Sequence, residues 1–252
     1  MAEFIESVVK SNKRLDEQHF ILQVSHKESG AYPGQFYMLR CWQDFPVLPR
    51  PISVFDKAGD SIFFFIRKKG EGTERLSQLR KGDKLFINGP LGKGYEDCDG
   101  FLAIGAGMGF ASVHYAMKRY ELDCVYGVYG SSMIFEFDLI KNISICTEDG
   151  SRGFCGNLIE YLKKHYEKDK YNGIIACGPD GFLDALIDYS RKEDIPLKVS
   201  YEERMGCGFG MCMSCSKEIN GKKYHICKDG PVIDIETKKH DDPIDANISK
   251  NI

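Results

Sequence analysis

Residues 206–227 read Gly206-Cys-Gly-Phe-Gly-Met-Cys-Met-Ser-Cys-Ser-Lys-Glu-Ile-Asn-Gly-Lys-Lys-Tyr-His-Ile-Cys227, which places Cys207, Cys212, Cys215 and Cys227 on one short stretch. The first three have C-x4-C-x2-C spacing, the spacing of a plant-type two-iron two-sulfur loop, and the fourth follows after eleven residues. Such a centre needs four thiolates, with small residues between them so that the backbone can wrap closely and aim N–H groups at sulfur. Gly206, Gly208 and Gly210 supply that freedom. A structural zinc ion in a binding or sensing module is the competing reading, although zinc sites usually pair two C-x2-C knuckles. Cys227 sits much closer than the fourth ligand of a plant ferredoxin, so the lobe is not a complete ferredoxin domain.

Working outward, residues 201–252 are too few for a sizeable apolar core, and a metal centre would organise them. The tail after Glu236 is polar enough to be partly disordered. Upstream, over 98–200, buried-strand patterns at Phe101–Ile104, Leu122–Val128, Ile143–Cys146, Gly173–Cys177 and Leu197–Ser200 alternate with helical patterns at Met108–Tyr120, Asn157–Tyr166 and Gly181–Arg191. That alternation predicts a parallel sheet with helices on both faces. Residues 1–97 instead show short strands punctuated by turn residues: Phe4–Val9, His19–Ser25, Gln35–Cys41, Ile52–Phe55, Ser61–Arg67 and Lys84–Ile87, with one helix near Thr73–Leu79. This predicts a small antiparallel barrel. Gly89-Pro-Leu-Gly-Lys-Gly94 reads as the linker. The fold class is therefore multi-domain α+β, with a β-barrel, an α/β parallel-sheet nucleotide-binding domain and a cysteine-rich iron-sulfur lobe.

Near-balanced charge, 34 basic against 37 acidic residues, offers no field for a nucleic-acid backbone. No run approaches the roughly 18 apolar residues of a membrane span, and the charged first twenty residues lack an apolar signal region. Ten cysteines without a secretory signal point to the reducing cytoplasm and to metal or redox chemistry.

Two further constellations suit phosphate-bearing ligands. Arg50-Pro51-Ile52-Ser53 lies on a barrel strand and Gly70-Glu-Gly72-Thr73 opens the one helix. A flavin dinucleotide needs a guanidinium for its pyrophosphate, a hydroxyl near the ring and free N–H groups at a helix start. Arg50, Ser53 and the Gly72–Thr73 amides match these needs; a structural Arg-Pro and an ordinary N-cap at Thr73 are the plainer readings. Gly105-Ala-Gly107-Met-Gly109 follows a strand and opens a helix, as a dinucleotide turn does, but Phe110 replaces the last glycine and no acidic residue follows about 20 residues on. Cys177-Gly178-Pro-Asp ends another strand at the same sheet edge, with a buried structural Cys177 as the plain alternative. Tyr129-Gly130-Ser131-Ser132 contains no Arg or Lys for a 2′-phosphate, so NADH is expected over NADPH.

The order of these parts resembles the ferredoxin reductase superfamily, and within it the electron-transfer subunit family of NAD-dependent dihydroorotate dehydrogenase. The cysteine stretch through Cys227-Lys-Asp-Gly-Pro231 is its most specific portion. The resemblance implies an oxidoreductase subunit with FAD, a [2Fe-2S] cluster and NAD(H) as cofactors. By it, Arg50, Pro51, Ile52, Ser53, Phe65, Ile66, Arg67, Gly72 and Thr73 line FAD, while Cys207, Cys212, Cys215 and Cys227 hold the cluster. It places NAD(H) near Gly105, Gly107, Gly109, Cys177 and Gly178. The implied partner is an FMN-containing dihydroorotate dehydrogenase catalytic subunit, in a heterotetramer of two copies of each. A flavin subunit of a sulfide dehydrogenase, a ferredoxin-NADP transhydrogenase or a hydrogenase shares the same barrel and sheet.

Overall fold

The computed structural model describes residues 3–27, 30–135 and 142–237. The tail expected to be disordered lies, from 238 onward, outside the described residues.

The amino-terminal strands are β1 (Ile5–Arg14), β2 (His19–Ser25), β3 (Phe36–Arg40), β4 (Arg50–Ser53), β5 (Asp56–Ala58) and β6 (Ser61–Arg67). Helix α1 (Glu71–Ser77) and strand β7 (Lys84–Leu91) follow. The seven strands form one antiparallel sheet in the order β4-β3-β7-β1-β2-β6-β5. Alternation explains how it curls around a single core. In β2, Phe20, Leu22 and Val24 point inward, and in β6 so do Ile62, Phe64 and Ile66, all meeting Tyr37, Leu39, Leu85 and Ile87. Each fully buried side chain of this size contributes about 1.5–3 kcal/mol.

Strand β7 runs on to Leu91, so half of the expected linker is strand. The rest is pinned: the Lys93 N–H donates to Gly230 O at 2.6 Å, and a Cβ at Gly92 would meet that same oxygen at 2.5 Å.

The second unit contains β8 (Phe101–Ala106), α2 (Phe110–Tyr120), β9 (Cys124–Val128), β10 (Ile143–Thr147), β11 (Phe154–Cys155), α3 (Leu158–His165), β12 (Gly173–Cys177), α4 (Asp180–Glu193) and β13 (Leu197–Ser200). These strands pair in parallel in the order β11-β10-β9-β8-β12-β13. The central β9 and β12 are buried along their whole length, the mark of a sheet covered on both faces. Helix α3 starts on a capping box, in which Glu160 N–H donates to Asn157 Oδ1 and Asn157 N–H to Glu160 Oε2, each at 3.0 Å. The expected helix from Met108 begins instead as a short 3-10 turn over Gly107–Gly109.

The cysteine lobe holds β14 (Ser216–Ile219), β15 (Lys222–His225) and α5 (Ile226–Asp229), after which β16 (Val232–Ile235) pairs antiparallel with β13. The chain thus leaves the second sheet, builds the lobe and returns to the sheet edge. Met205, Cys215, Ile219, Ile226 and Cys227 share one apolar cluster with the sheet and with Phe36 and Met38 of the barrel. The lobe borrows a core from its neighbours rather than making its own.

Candidate redox site

The loop Cys207–Cys215 lies on the barrel. A Cβ at Gly208 would meet Met38 Cγ at 2.8 Å and Leu91 Cδ1 at 3.2 Å, and Gly208 and Gly210 have φ of +82° and +89°, the left-handed region that glycine takes at least cost. The backbone N–H groups point at sulfur, as a thiolate cluster requires. Those of Met211 and Cys212 donate to Cys207 Sγ at 3.3 and 3.4 Å, that of Cys207 to Cys212 Sγ at 3.4 Å, and that of Gly210 to Cys227 Sγ at 3.1 Å. The Cys227 N–H donates to Cys215 Sγ at 3.4 Å.

These bonds sort the four thiols into two pairs, Cys207 with Cys212 and Cys215 with Cys227. Among the described residues no three or more His, Cys, Asp or Glu side chains gather as the shell of one metal ion. The pairs differ in environment. The Cys212 thiol is exposed and held down to about 6 by the Ser214 hydroxyl and N–H groups. Burial, reinforced by neighbouring Cys215, pushes Cys227 up to about 12.

On the barrel, Arg50 and the start of α1 do meet. A Cβ at Gly72 would lie 2.5 Å from Arg50 Nε and 2.9 Å from the Trp42 ring, and the Arg50 guanidinium stands 5.5 Å over that ring. Thr73 is not the N-cap: the helix starts after Gly70, and the Thr73 hydroxyl donates to Gly70 O at 2.9 Å and accepts from Lys69 N at 2.9 Å. Ser53 stands opposite Phe36, Pro51 opposite Met38 and Ile52 opposite Tyr37 in the β3–β4 ladder. On β6, Phe65 faces away from the barrel core against Phe55, His19 and Phe135, whereas Ile66 turns inside, so that only its backbone is available to a ligand. Arg67 donates to Gln18 Oε1 at 3.1 Å.

At the sheet edge, Cys177 and Gly105 are register partners, and a Cβ at Gly109 would come within 2.2 Å of Cys177 O. The Gly105–Gly109 turn and Cys177–Gly178 are therefore one packed unit, with Gly107 at φ +54° and open space beside it. The Cys177 thiol itself is fully buried, and burial raises its pKa, so the plain structural reading holds for its side chain. Sequence reasoning missed Lys217, whose ammonium reaches Asp180 Oδ2 at 3.1 Å and Glu203 Oε1 at 2.9 Å, tying the lobe to the start of α4. It also missed Trp42, the single tryptophan of the chain, whose position beside Arg50 depends on a strand pairing that no local pattern reveals.

Residues 202–237 match the family model described as the iron-sulfur cluster binding domain of dihydroorotate dehydrogenase B. Among solved structures, the chain is similar to the NADH-dependent reduced ferredoxin-NADP oxidoreductase (TM-score 0.81, 23% identity, 93% of this chain and 90% of that one). It is also similar to a Neisseria gonorrhoeae ferredoxin NADP+ reductase with bound FAD and NADP (TM-score 0.60, 16% identity, 75% and 92%). At those identities the likeness establishes the ferredoxin-reductase-like fold. Sequence relatives say more. The dihydroorotate dehydrogenase B (NAD(+)) electron transfer subunit of Clostridium acetobutylicum is 34% identical over 236 residues, 90% of this chain and 94% of the relative. The subunit of the same name from Caldanaerobacter subterraneus is 32% identical over 234 residues, 89% and 94%. With relatives this similar along nearly their full length, and with its cysteine lobe matching the cluster domain of the same enzyme, the chain belongs to the family of dihydroorotate dehydrogenase B (NAD(+)) electron transfer subunits.

Proposed function

We propose that this chain carries electrons between NAD(H) and the FMN of a dihydroorotate dehydrogenase catalytic subunit, through FAD on the barrel and a [2Fe-2S] cluster in the cysteine lobe. The single observation that carries this reading is the two-by-two pairing of Cys207 with Cys212 and Cys215 with Cys227 under backbone N–H groups aimed at sulfur, in a chain of this family. When bound, FAD exchanges two electrons as hydride and the cluster exchanges one at a time, so together they couple the two kinds of chemistry.

The chain's own residues supply positions and charges. Arg50, held over Trp42, presents a guanidinium beside the Gly72 and Thr73 amides, where a pyrophosphate fits. Pro51, Ile52 and Ser53 continue along the same strand, and Phe65, the Ile66 backbone and Arg67 form the other side. Gly107, with open space beside it, leaves the backbone bare for the nicotinamide nucleotide at the carboxyl ends of β8 and β12, while Gly105, Gly109 and Gly178 let the turn pack closely against Phe110, Cys177 and Ala106.

The loop around the cysteines is the contact surface for the catalytic subunit. Phe209, Met211 and Met213 are 42%, 75% and 60% exposed on it, whereas Met205 is buried and structural. The division proposed is barrel 1–97, nucleotide sheet 98–200 and cluster lobe 201–252, with β16 lending the lobe's end to the sheet. The assembly is a heterotetramer of two copies of each subunit. Ten unpaired cysteines support a cytoplasmic location, and among the described residues no helix is long and apolar enough to cross a membrane.

Anaerobic purification tests the reading. About two irons, two acid-labile sulfides and one FAD per chain are expected, with a yellow-brown colour bleached by NADH and lost in large part when Cys212→Ser removes one thiolate. A colourless protein with stoichiometric zinc and no sulfide would overturn it.

A further inference from the structure

The stretch after β9 lacks an acidic residue at the spacing where a Rossmann site grips its ribose. The fold delivers one from the next strand. Beyond β10 the chain turns back onto the end of β9: the Glu148 N–H donates to Val128 O at 3.2 Å, the Asp149 N–H to Tyr129 O at 3.0 Å, and the Ser131 N–H to Ser151 Oγ at 2.8 Å. This lacing brings Asp149 against Gly130, where a Cβ would stand 2.3 Å from Asp149 Oδ2. The carboxylate is also fixed in direction, accepting from Ser151 N at 2.9 Å and Ser151 Oγ at 2.6 Å, and those bonds hold it below the usual carboxylate range. Beside it Tyr129 is 68% exposed, although β9, which it follows, is wholly buried.

The place of this pair matters. Phosphates at the Gly105–Gly109 turn sit at the end of β8; β9 is its neighbour and β10 the strand beyond. With strands about 4.8 Å apart, the end of β10 stands roughly 10 Å along the edge, the direction in which the adenosine half of a dinucleotide leaves its phosphates. A ring open to solvent and an anchored anion meet there.

We propose that Tyr129 and Asp149 form the adenosine corner of the nucleotide site, the ring stacking on adenine and the carboxylate accepting hydrogen bonds from the ribose hydroxyls, so that Asp149 selects NAD(H) against NADP(H). An ionised carboxylate rewards a 2′-hydroxyl and repels a 2′-phosphate. This inference rests on the reading of the sheet edge as the nucleotide site.

The test is steady-state oxidation of NADH and of NADPH by the holoprotein with ferricyanide as acceptor. Wild type should prefer NADH. Asp149→Asn should lower kcat/KM for NADH about tenfold through KM and raise it for NADPH, shifting the preference ratio by about 30-fold or more, with FAD content as in wild type. Gly130→Ala, whose new methyl displaces the carboxylate while Asp149 stays in the chain, should shift the ratio the same way and guards against misfolding of the first variant. Tyr129→Ala should raise KM for both nucleotides alike. An active Asp149→Asn or Gly130→Ala protein whose ratio stays within twofold of wild type overturns the role of Asp149. A holoprotein that oxidises neither nucleotide overturns the site reading beneath it.

Discussion

Arg50 shows how the fold gives one residue surroundings that its neighbours in sequence do not reveal. Arg-Pro on a strand is an ordinary pair; what sets Arg50 apart is that β4 carries it over Trp42 and against Gly72 at the start of α1, from 22 residues further along the chain. Replacing it with Ala removes a charge-assisted contact worth about 1.5–3 kcal/mol, so FAD should dissociate roughly 10- to 100-fold more readily. Arg50→Lys should recover only part of this, because an ammonium lacks the planar fork. Equilibrium dialysis of flavin measures it, and unchanged affinity in the Ala variant would move the flavin phosphates elsewhere. The cysteines teach the complementary lesson. Spacing alone separates Cys207, Cys212, Cys215 and Cys227, the proposed cluster ligands, from the other six, because ligands of one centre must be near in sequence when the lobe is small. Environment was not legible: Cys124 and Cys177 are fully enclosed thiols whose pKa burial raises, while Cys212 is held near 6 by its hydrogen bonds.

Whether an element could be read depended on where its stabilisation comes from. β2 and β6 match their sequence patterns at both ends because alternate side chains enter the barrel core. The outer half of β1, through Arg14, is polar and is held by ladder bonds to β2, so nothing in its composition announces a strand. The hairpin β14–β15 went unread although Asn220-Gly221 supplies the signal for a two-residue turn, with both residues at positive φ. β16 was hidden for another reason: it returns to β13 across the whole lobe, and such pairing leaves no local trace. Helix α2 carries the contact between barrel and sheet. His114 on it is buried, stacks on Phe55 at 4.0 Å and shares a hydrogen bond with Phe55 O at 2.9 Å, while Lys118 pairs with Asp56 beside it. A carbonyl only accepts, so Nδ1 carries the proton. Burial is the main cause that lowers the His114 pKa; the Phe55 carbonyl and Asp56 oppose it, and Lys118 adds to it. The unfolded chain therefore binds the proton first: stability from this site is level above the unfolded value of about 6.5 and falls as pH drops through it. Thermal melts between pH 8 and 5 should show that slope, and His114→Gln should flatten it. An identical slope in the variant would assign the pH dependence to other groups.

At the scale of the whole molecule, the three parts are joined by shared packing. The cluster loop rests on Met38 and Leu91 of the barrel, Lys217 ties it to Asp180 and Glu203, and Gly230 holds the barrel-to-sheet crossing through Lys93. A lobe clamped on both sides keeps its four thiols at a fixed place relative to the barrel and the parallel sheet. The same loop turns Phe209, Met211 and Met213 outward, on the surface proposed to meet the catalytic subunit. Met211→Glu should accordingly weaken transfer to the catalytic subunit about tenfold or more while leaving NADH-driven bleaching of the chain intact, as stopped-flow absorbance can separate. The most direct measurement is reconstitution: the anaerobically purified chain is mixed with an FMN-containing dihydroorotate dehydrogenase catalytic subunit and assayed for orotate formation coupled to reduction of NAD. Orotate formed with NAD only when both proteins are present is the predicted result; dihydroorotate turned over by this chain alone, or an NAD-dependent rate that its addition does not change, would contradict the account.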